Sequence, residues 1–307
     1  MADSSDPIRP DLPLHSVKDF LAYLGLRAGA GLIGLLPSGA VRALGGVGGR
    51  AWHFFDRGRR RMAERHMTRV LGSGADVGEA SESVMESYGK YLAEAFWVRG
   101  KRVPDMLERT VVEGLDWVIE ARDAGKGIVF AVPHVGNWEV AAPVAVANGI
   151  PVVAVAEDLP NKRITEWFTA MRGDFGIEIV LATGSVQVMR DLEAALTANK
   201  AVALLSDRDL KGRGIEVDFF GEKTTMPPGP ATLAIRTGAP LFPVACYFED
   251  GGYRVVVRPE IPIPSEGTRS EKVKKMTQTL AAELEILILK APDQWHLLVP
   301  NWPSDTE

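Results

Sequence analysis

From Thr110 onward, short β-branched runs alternate with helix-forming stretches, and few architectures accommodate that alternation. The runs cover residues 110–112, 127–131, 152–155, 177–180, 201–205, 241–247 and 253–257. Helical patterns fit between most of them, at 137–147, 161–174, 186–198 and 229–237. Near-continuous apolar runs of this kind are buried on both faces, as in a mostly parallel sheet covered by helices on each side. The expected fold class is therefore α/β, with a long amphipathic helix over 270–290 closing the chain.

Upstream of that pattern the sequence reads as helices. Residues 1–14 read as a loose tail, 17–36 as a helix stopped by Pro37, and 38–55 as a second helix with Ser38 as its N-cap. A third helix carries Arg57, Arg59, Arg60, Arg61, Arg65 and Arg69, and a fourth runs from about 79 to 97. The expected organisation is a membrane-associating helical region over 1–105 and one integrated α/β core over 106–307.

Composition narrows the class. With 46% hydrophobic residues the 307-residue chain can build a sizeable core, and disorder is excluded. One cysteine, Cys246, excludes an intramolecular disulfide and any multi-cysteine metal site. It sits in the apolar run 241–247, as a buried strand thiol, and fits a reducing, cytosol-facing location. The polar, acidic N-terminus does not form a signal peptide. The uncharged run 28–41 holds four glycines and Pro37, short of the about 20 apolar residues needed to span a bilayer. The net charge of −5 divides unevenly: residues 12–70 carry ten Lys/Arg against three acids. A basic end with apolar helices suits an anionic membrane surface. Nucleic acid is disfavoured, because no basic stripe with interleaved aromatics follows.

Of five histidines, only His134 follows a buried strand, at the carboxyl end where α/β sheets bind ligands. It lies in Pro133-His134-Val135-Gly136-Asn137-Trp138-Glu139, where Asn137 can cap a helix and Glu139 falls in its first turn. A carboxylate beside a histidine fixes its tautomer and stabilises the imidazolium, which suits general-base activation of a hydroxyl. Packing remains the alternative: a loop-filling histidine and a glutamate that favours the helix N-terminus. Other chemistries are poorly supplied. There is no His-Glu-x-x-His cluster and no Gly-x-Ser-x-Gly elbow. The glycines of 46–51 mimic a dinucleotide fingerprint, but no strand precedes them, so they read as helix packing. Residues 221–224 lack the spacing of a phosphate loop.

With this motif in hand, the chain resembles the lauroyl/myristoyl lipid A acyltransferase superfamily, whose signature is His, four residues, then Asp or Glu. Further stretches sharpen the likeness: Ser206-Asp207-Arg208-Asp209-Leu210, 214–221, Met226-Pro227-Pro228-Gly229-Pro230-Ala231, Trp295-His296 and Pro300-Asn301-Trp302. They are similar to the actinobacterial phosphatidylinositol mannoside acyltransferase branch.

The resemblance implies a glycerol-phosphate acyltransferase-like sheet with a buried acyl groove, attached peripherally to the cytoplasmic face of the cell membrane. It implies transfer of a long acyl group, typically palmitoyl, from acyl-CoA to the 6-hydroxyl of a mannose on a phosphatidylinositol mannoside. Acyl-CoA would be a co-substrate, with no cofactor and no metal. His134 would be the base, oriented and charge-balanced by Glu139. Glu157, Arg172, Asp207 and Arg208 would line the substrate site: the acids for sugar hydroxyls or for steadying His134, the arginines for donor phosphates, with a buried ion-pair network as the alternative for each. The sequence departs from the branch at two positions, with Glu139 where Asp is common and Asp207 where Glu is common. Two rival readings stay open: an acyltransferase on lipid A or another glycolipid that uses acyl carrier protein, and a non-catalytic lipid-binding protein.

Overall fold

The computed structural model describes residues 17–98, 100–183, 186–209 and 212–306; the expected tail at 1–14 and His15 lie outside them. Five helices come first: α1 (Val17–Ile33), α2 (Ser38–Phe55), α3 (Arg57–Leu71), α4 (Val77–Trp97) and the short α5 (Val103–Glu108). Pro37 separates α1 from α2 and itself takes the N-cap position, without a side-chain bond, so Ser38 is the first helical residue rather than the cap. Asp56 caps α3 by accepting from the backbone N–H groups of Gly58 and Arg59 at 3.1 and 3.0 Å.

Glycine governs the α2–α4 contact. A Cβ added at Gly49 would lie 2.1 Å from the Met85 carbonyl oxygen, and one at Gly89 would lie 2.1 Å from that of Gly45. Only glycine lets the two backbones approach this closely. The glycine cluster is therefore helix packing, as its setting in the sequence implies.

The remaining elements are β1 (Thr110–Glu113), α6 (Leu115–Asp123), β2 (Ile128–Val132), α7 (Trp138–Ala147), β3 (Val152–Ala156), α8 (Lys162–Gly173), β4 (Ile177–Leu181) and α9 (Val186–Thr197). They continue with β5 (Ala201–Leu205), β6 (Ile215–Phe219), β7 (Glu222–Met226), α10 (Gly229–Thr237), β8 (Leu241–Glu249), β9 (Gly252–Val257) and α11 (Arg269–Lys290). Seven strands form one sheet in the order β1-β9-β8-β2-β5-β3-β4. Every neighbouring pair is parallel except β8–β9, a tight antiparallel pair. This is the α/β class expected, with a mostly parallel sheet flanked by helices.

The sequence reading does not anticipate the β6–β7 hairpin, which stands apart as a two-stranded sheet. Its second strand, Glu-Lys-Thr-Thr-Met, is polar apart from its last residue. Phe220 and Gly221 turn between the strands with φ of 51° and 74°, the pairing that two-residue hairpin turns require.

The sheet divides the core in two. Along β2 every residue is buried, with Val129 and Ala131 in one apolar cluster and Ile128, Phe130 and Val132 in the other. Helices α9, α10 and α11 pack on the first face; α6, α7 and α8 pack on the second. Cys246 on β8 is fully buried, and burial pushes its thiol pKa up, so it is a core residue as expected.

Candidate active site

Strand order brings the site together. β2 and β5 are neighbours in parallel register, with Val132 opposite Leu205, although β3 and β4 lie between them in the sequence. Two residues past that pair stand His134 and Asp207, on the same carboxyl edge of the sheet. The loop after β2 is pinned at several points. Gly136 N–H donates to the Gln294 carbonyl and Asn137 N–H to the Cys246 carbonyl, both at 2.9 Å. Gly136 has φ +58°, and a Cβ there would sit 2.1 Å from the Cys246 oxygen, so the motif requires glycine at this position.

His134 Nδ1 lies 2.7 Å from Asp207 Oδ1. An ionised carboxylate only accepts, so Nδ1 carries the proton and Nε2 is left as the basic nitrogen. Asp207 Oδ2 accepts from His134 N–H at 3.0 Å and from Trp295 Nε1–H at 2.8 Å. Asp207 is fully buried, and its main-chain oxygen accepts from Asn301 Nδ2 at 3.2 Å. Burial alone would raise its carboxyl pKa. The attraction of His134 and the bonds from His134 and Trp295 outweigh burial and hold it below the usual carboxylate range.

The sequence reading sets Glu139 against His134 and gives Asp207 only as an acid for sugar hydroxyls or for steadying His134; the structure corrects the first pairing, because the carboxylate on the imidazole is Asp207. Glu139 instead binds Arg172 through both oxygens, Oε2 to Nε at 3.0 Å and Oε1 to Nη2 at 2.5 Å. Glu139 lies in the first turn of α7 and Arg172 in the last turn of α8. Each charge therefore complements its own helix dipole, and the fork clamps one helix end to the other. Glu157 follows β3 on the same carboxyl edge and is exposed; Arg208 directly follows Asp207 and is half-buried. Among the described residues, no hydrogen bond joins either of them to His134 or Glu139.

Sequence reasoning assigned no role to Trp295 or Asn301, although both lie in stretches that carry the resemblance. A tryptophan in a short irregular segment after the last helix is the signal that points to such a support. The other three described histidines pack: His53 and buried His296 bond the Ser81 and Ser87 hydroxyls, each at 2.9 Å, and fully buried His66 lies between Asp305 and the Leu297 carbonyl.

A cavity of about 350 Å³ lies between α7 and the sheet, lined by Trp138 and Glu139 of the motif but not by His134 or Asp207 themselves. Its walls are apolar: Val132, Val152, Ala154, Ala203 and Val255 from the sheet, Ala142 and Val144 from α7, Phe96 from α4 and Phe168 from α8. Polar groups are few, among them Tyr91, Glu139, Glu157 and Arg172. The Trp138 ring also lines it and meets the His134 ring edge-on, with centroids 5.3 Å apart. An apolar cavity with few convergent polar groups suits a flexible hydrocarbon chain whose reacting end stays at the polar rim.

Comparison with known proteins places the chain in a family. The family model described as bacterial lipid A biosynthesis acyltransferase matches residues 12–304. The phosphatidylinositol mannoside acyltransferase of Mycolicibacterium smegmatis is 37% identical over 285 residues, 92% of this chain and 91% of that protein. The Mycobacterium tuberculosis protein of the same name is 35% identical over 302 residues, 96% of this chain and 93% of that protein. A Haemophilus influenzae lipid A biosynthesis acyltransferase is 21% identical over 201 residues, 64% of this chain and 60% of that protein. With nearly the whole length matched, the chain belongs to the bacterial lipid A biosynthesis acyltransferase family, and it is an acyltransferase.

Proposed function

We propose that this acyltransferase moves a long-chain acyl group, typically palmitoyl, from acyl-CoA to the 6-hydroxyl of a mannose on a phosphatidylinositol mannoside. The observation that carries the reading is the His134–Asp207 pair, whose imidazole packs against Trp138 in the wall of an apolar cavity. The names of the mycobacterial relatives supply the acceptor.

In this scheme the acyl chain lies in the cavity and presents its thioester carbonyl at the rim. His134 Nε2 takes the proton of the mannose hydroxyl as its oxygen attacks the carbonyl carbon. Asp207, hydrogen-bonded to Nδ1, holds the ring orientation and stabilises the imidazolium. When the tetrahedral intermediate collapses, the carbon–sulfur bond breaks and the imidazolium returns its proton to the CoA sulfur. Glu139 supports the centre at one remove, by fixing the start of α7 against Arg172. Because Arg172 is engaged with Glu139, Arg208 is the freer guanidinium for donor phosphates, and exposed Glu157 is available to sugar hydroxyls.

We assign attachment to the helical region 1–105 and transfer to the core 106–307, with α4 also lending Tyr91 and Phe96 to the cavity. No helix among the described residues is long and apolar enough to cross a membrane. Leu21, Leu24 and Leu32 at α1, and Leu44, Val47 and Phe54 on α2, are nonetheless exposed. These side chains, next in the chain to the arginines of α3, support peripheral seating on the anionic cytoplasmic leaflet.

The test combines purified protein, palmitoyl-CoA and a mannosylated phosphatidylinositol. The expected outcome is CoA release and a new mannose ester by mass spectrometry. His134→Ala should slow transfer by about 10²–10⁴-fold. Full transfer by that variant would remove the base assignment. A preference for acyl carrier protein thioesters in donor competition, or stoichiometric fatty-acid binding without turnover, would replace the reading.

A further inference from the structure

Glu94 is a charged residue with no access to water: it sits on α4 at 0% exposure. A buried carboxylate is costly unless donors compensate it. Three do. Arg42 Nε lies 2.5 Å from Oε1, while Asn137 Nδ2 and the Tyr253 hydroxyl each donate to Oε2 at 2.7 Å. The three donors come from α2, from the loop after β2 and from β9. Arg42 is itself fixed, since its other nitrogens donate to the carbonyls of Glu249 and Gly252 at 3.1 Å and its guanidinium lies over the Tyr253 ring.

The contact with Asn137 departs from local rules. Asn137 holds the N-cap position of α7, where an asparagine ordinarily bonds the first free N–H groups of its own helix. Here it makes no side-chain cap. Its amide turns to Glu94 instead, and its buried Oδ1 finds no partner. A cap forgone together with an unsatisfied buried oxygen marks a place where stability yields to another requirement. Asn137 stands three residues after His134 and two before Glu139. Its side chain therefore sits between the loop that carries the imidazole and the first turn that carries the Arg172 clamp.

We propose that Glu94 is a positioning residue for acyl transfer: it sets the His134 loop through Asn137, while Arg42 and Tyr253 hold its carboxylate in place. The inference rests on the general-base role of His134 given above. Glu94 touches neither substrate nor the reacting atoms. A displacement of the base by about 1 Å is enough to cost about 10²-fold in rate.

The test is a double-mutant cycle on kcat with Glu94→Gln, Asn137→Ala and the pair together, with both substrate KM values and melting curves measured alongside. Asn137→Ala leaves the Arg42–Glu94–Tyr253 group intact. Glu94→Asp keeps the charge for Arg42 but falls a methylene short of Asn137. These two decide the matter if Glu94→Gln does not fold. Each folded single variant should lose about 10–100-fold in kcat with KM changed by less than about threefold. The double variant should be no slower than the slower single variant, because both act through one contact. Folded Asn137→Ala or Glu94→Asp at the wild-type kcat overturns the proposal, as do losses confined to KM or losses that multiply in the double variant. His134→Ala run in parallel separates the two readings. If it keeps the wild-type rate, the base assignment fails; if it is inactive while Asn137→Ala is unimpaired, only the positioning role fails.

Discussion

Three donors converge on the Asp207 carboxylate: His134 Nδ1–H, His134 N–H and Trp295 Nε1–H. An ionised carboxylate accepts all of them, whereas an amide has a single acceptor oxygen. Asp207→Asn must therefore turn an NH₂ group against at least one buried donor or release the imidazole from its tautomer. The expected result is a folded protein with kcat lower by about 10²–10⁴-fold in a steady-state assay. The same carboxyl has a depressed pKa in the folded chain. Its stabilising effect is thus present above the unfolded value of about 3.9 and is lost as pH falls through the lower folded value. Chemical denaturation should show wild type and Asp207→Asn differing most above about pH 5, with the gap closing on acidification; a gap independent of pH would contradict this. The histidine was legible in the sequence because a buried strand and Pro133 lead directly to it. Its carboxylate partner was not legible from spacing, and the resemblance offered Asp207 only as one of two acids for sugar hydroxyls or for steadying His134. Glu139 is five residues away and local, while Asp207 arrives only because β5 lies beside β2, an adjacency that sequence order hides. Glu94 was hidden for a related reason, since nothing in a helical sequence announces which glutamate will face inward.

At the scale of elements, most strands and helices were readable because apolar periodicity changes sharply after residue 110. The β6–β7 hairpin escaped because β7 is stabilised by pairing and by two buried positions, Thr224 and Met226, rather than by an apolar run. The α2–α4 contact tests how much a helix pair depends on backbone approach. At Gly49 a methyl group would meet the Met85 carbonyl, so Gly49→Ala must push α2 outward. Overpacking of this kind typically costs about 1–3 kcal/mol. Calorimetry should show a fall in melting temperature of about 2–4 °C per kcal/mol, the range expected for a chain of this order of size. Gly48 on the same helix is exposed, with nothing within 4 Å of an added Cβ, and serves as the control. Gly48→Ala should hold or raise the melting temperature, since alanine favours a helix interior by about 1 kcal/mol. Equal effects at the two positions would mean that the close contact is not what the glycines are for.

Across the whole molecule, charge and apolar exposure coincide at one end of the chain. Residues 12–70 hold ten of the 35 Lys/Arg and only three acids. The helices in that span leave Leu32, Leu44, Val47, Phe54 and Phe55 in solvent. Their charges are not equivalent. Arg59 is held by Asp56 at 2.6 Å and Arg60 lies 3.8 Å from Glu64, whereas Arg57 and Arg61 are exposed and Arg61 Nε donates only to the Arg57 carbonyl. If this end seats the enzyme on an anionic leaflet, the protein should float with vesicles that contain acidic phospholipid and be released as salt rises. Each basic residue near such a surface contributes about 1 kcal/mol. Replacing Arg57 and Arg61 by glutamine should then weaken vesicle binding by about 10–30-fold, more than the same change at Arg59 and Arg60. Leu44→Ser and Phe54→Ser should weaken binding to neutral vesicles too, because they remove the apolar component that salt does not screen. Flotation with neutral and acidic vesicles alike, unmoved by salt or by the arginine changes, would leave the apolar face as the whole of the attachment and give the basic segment no part in it.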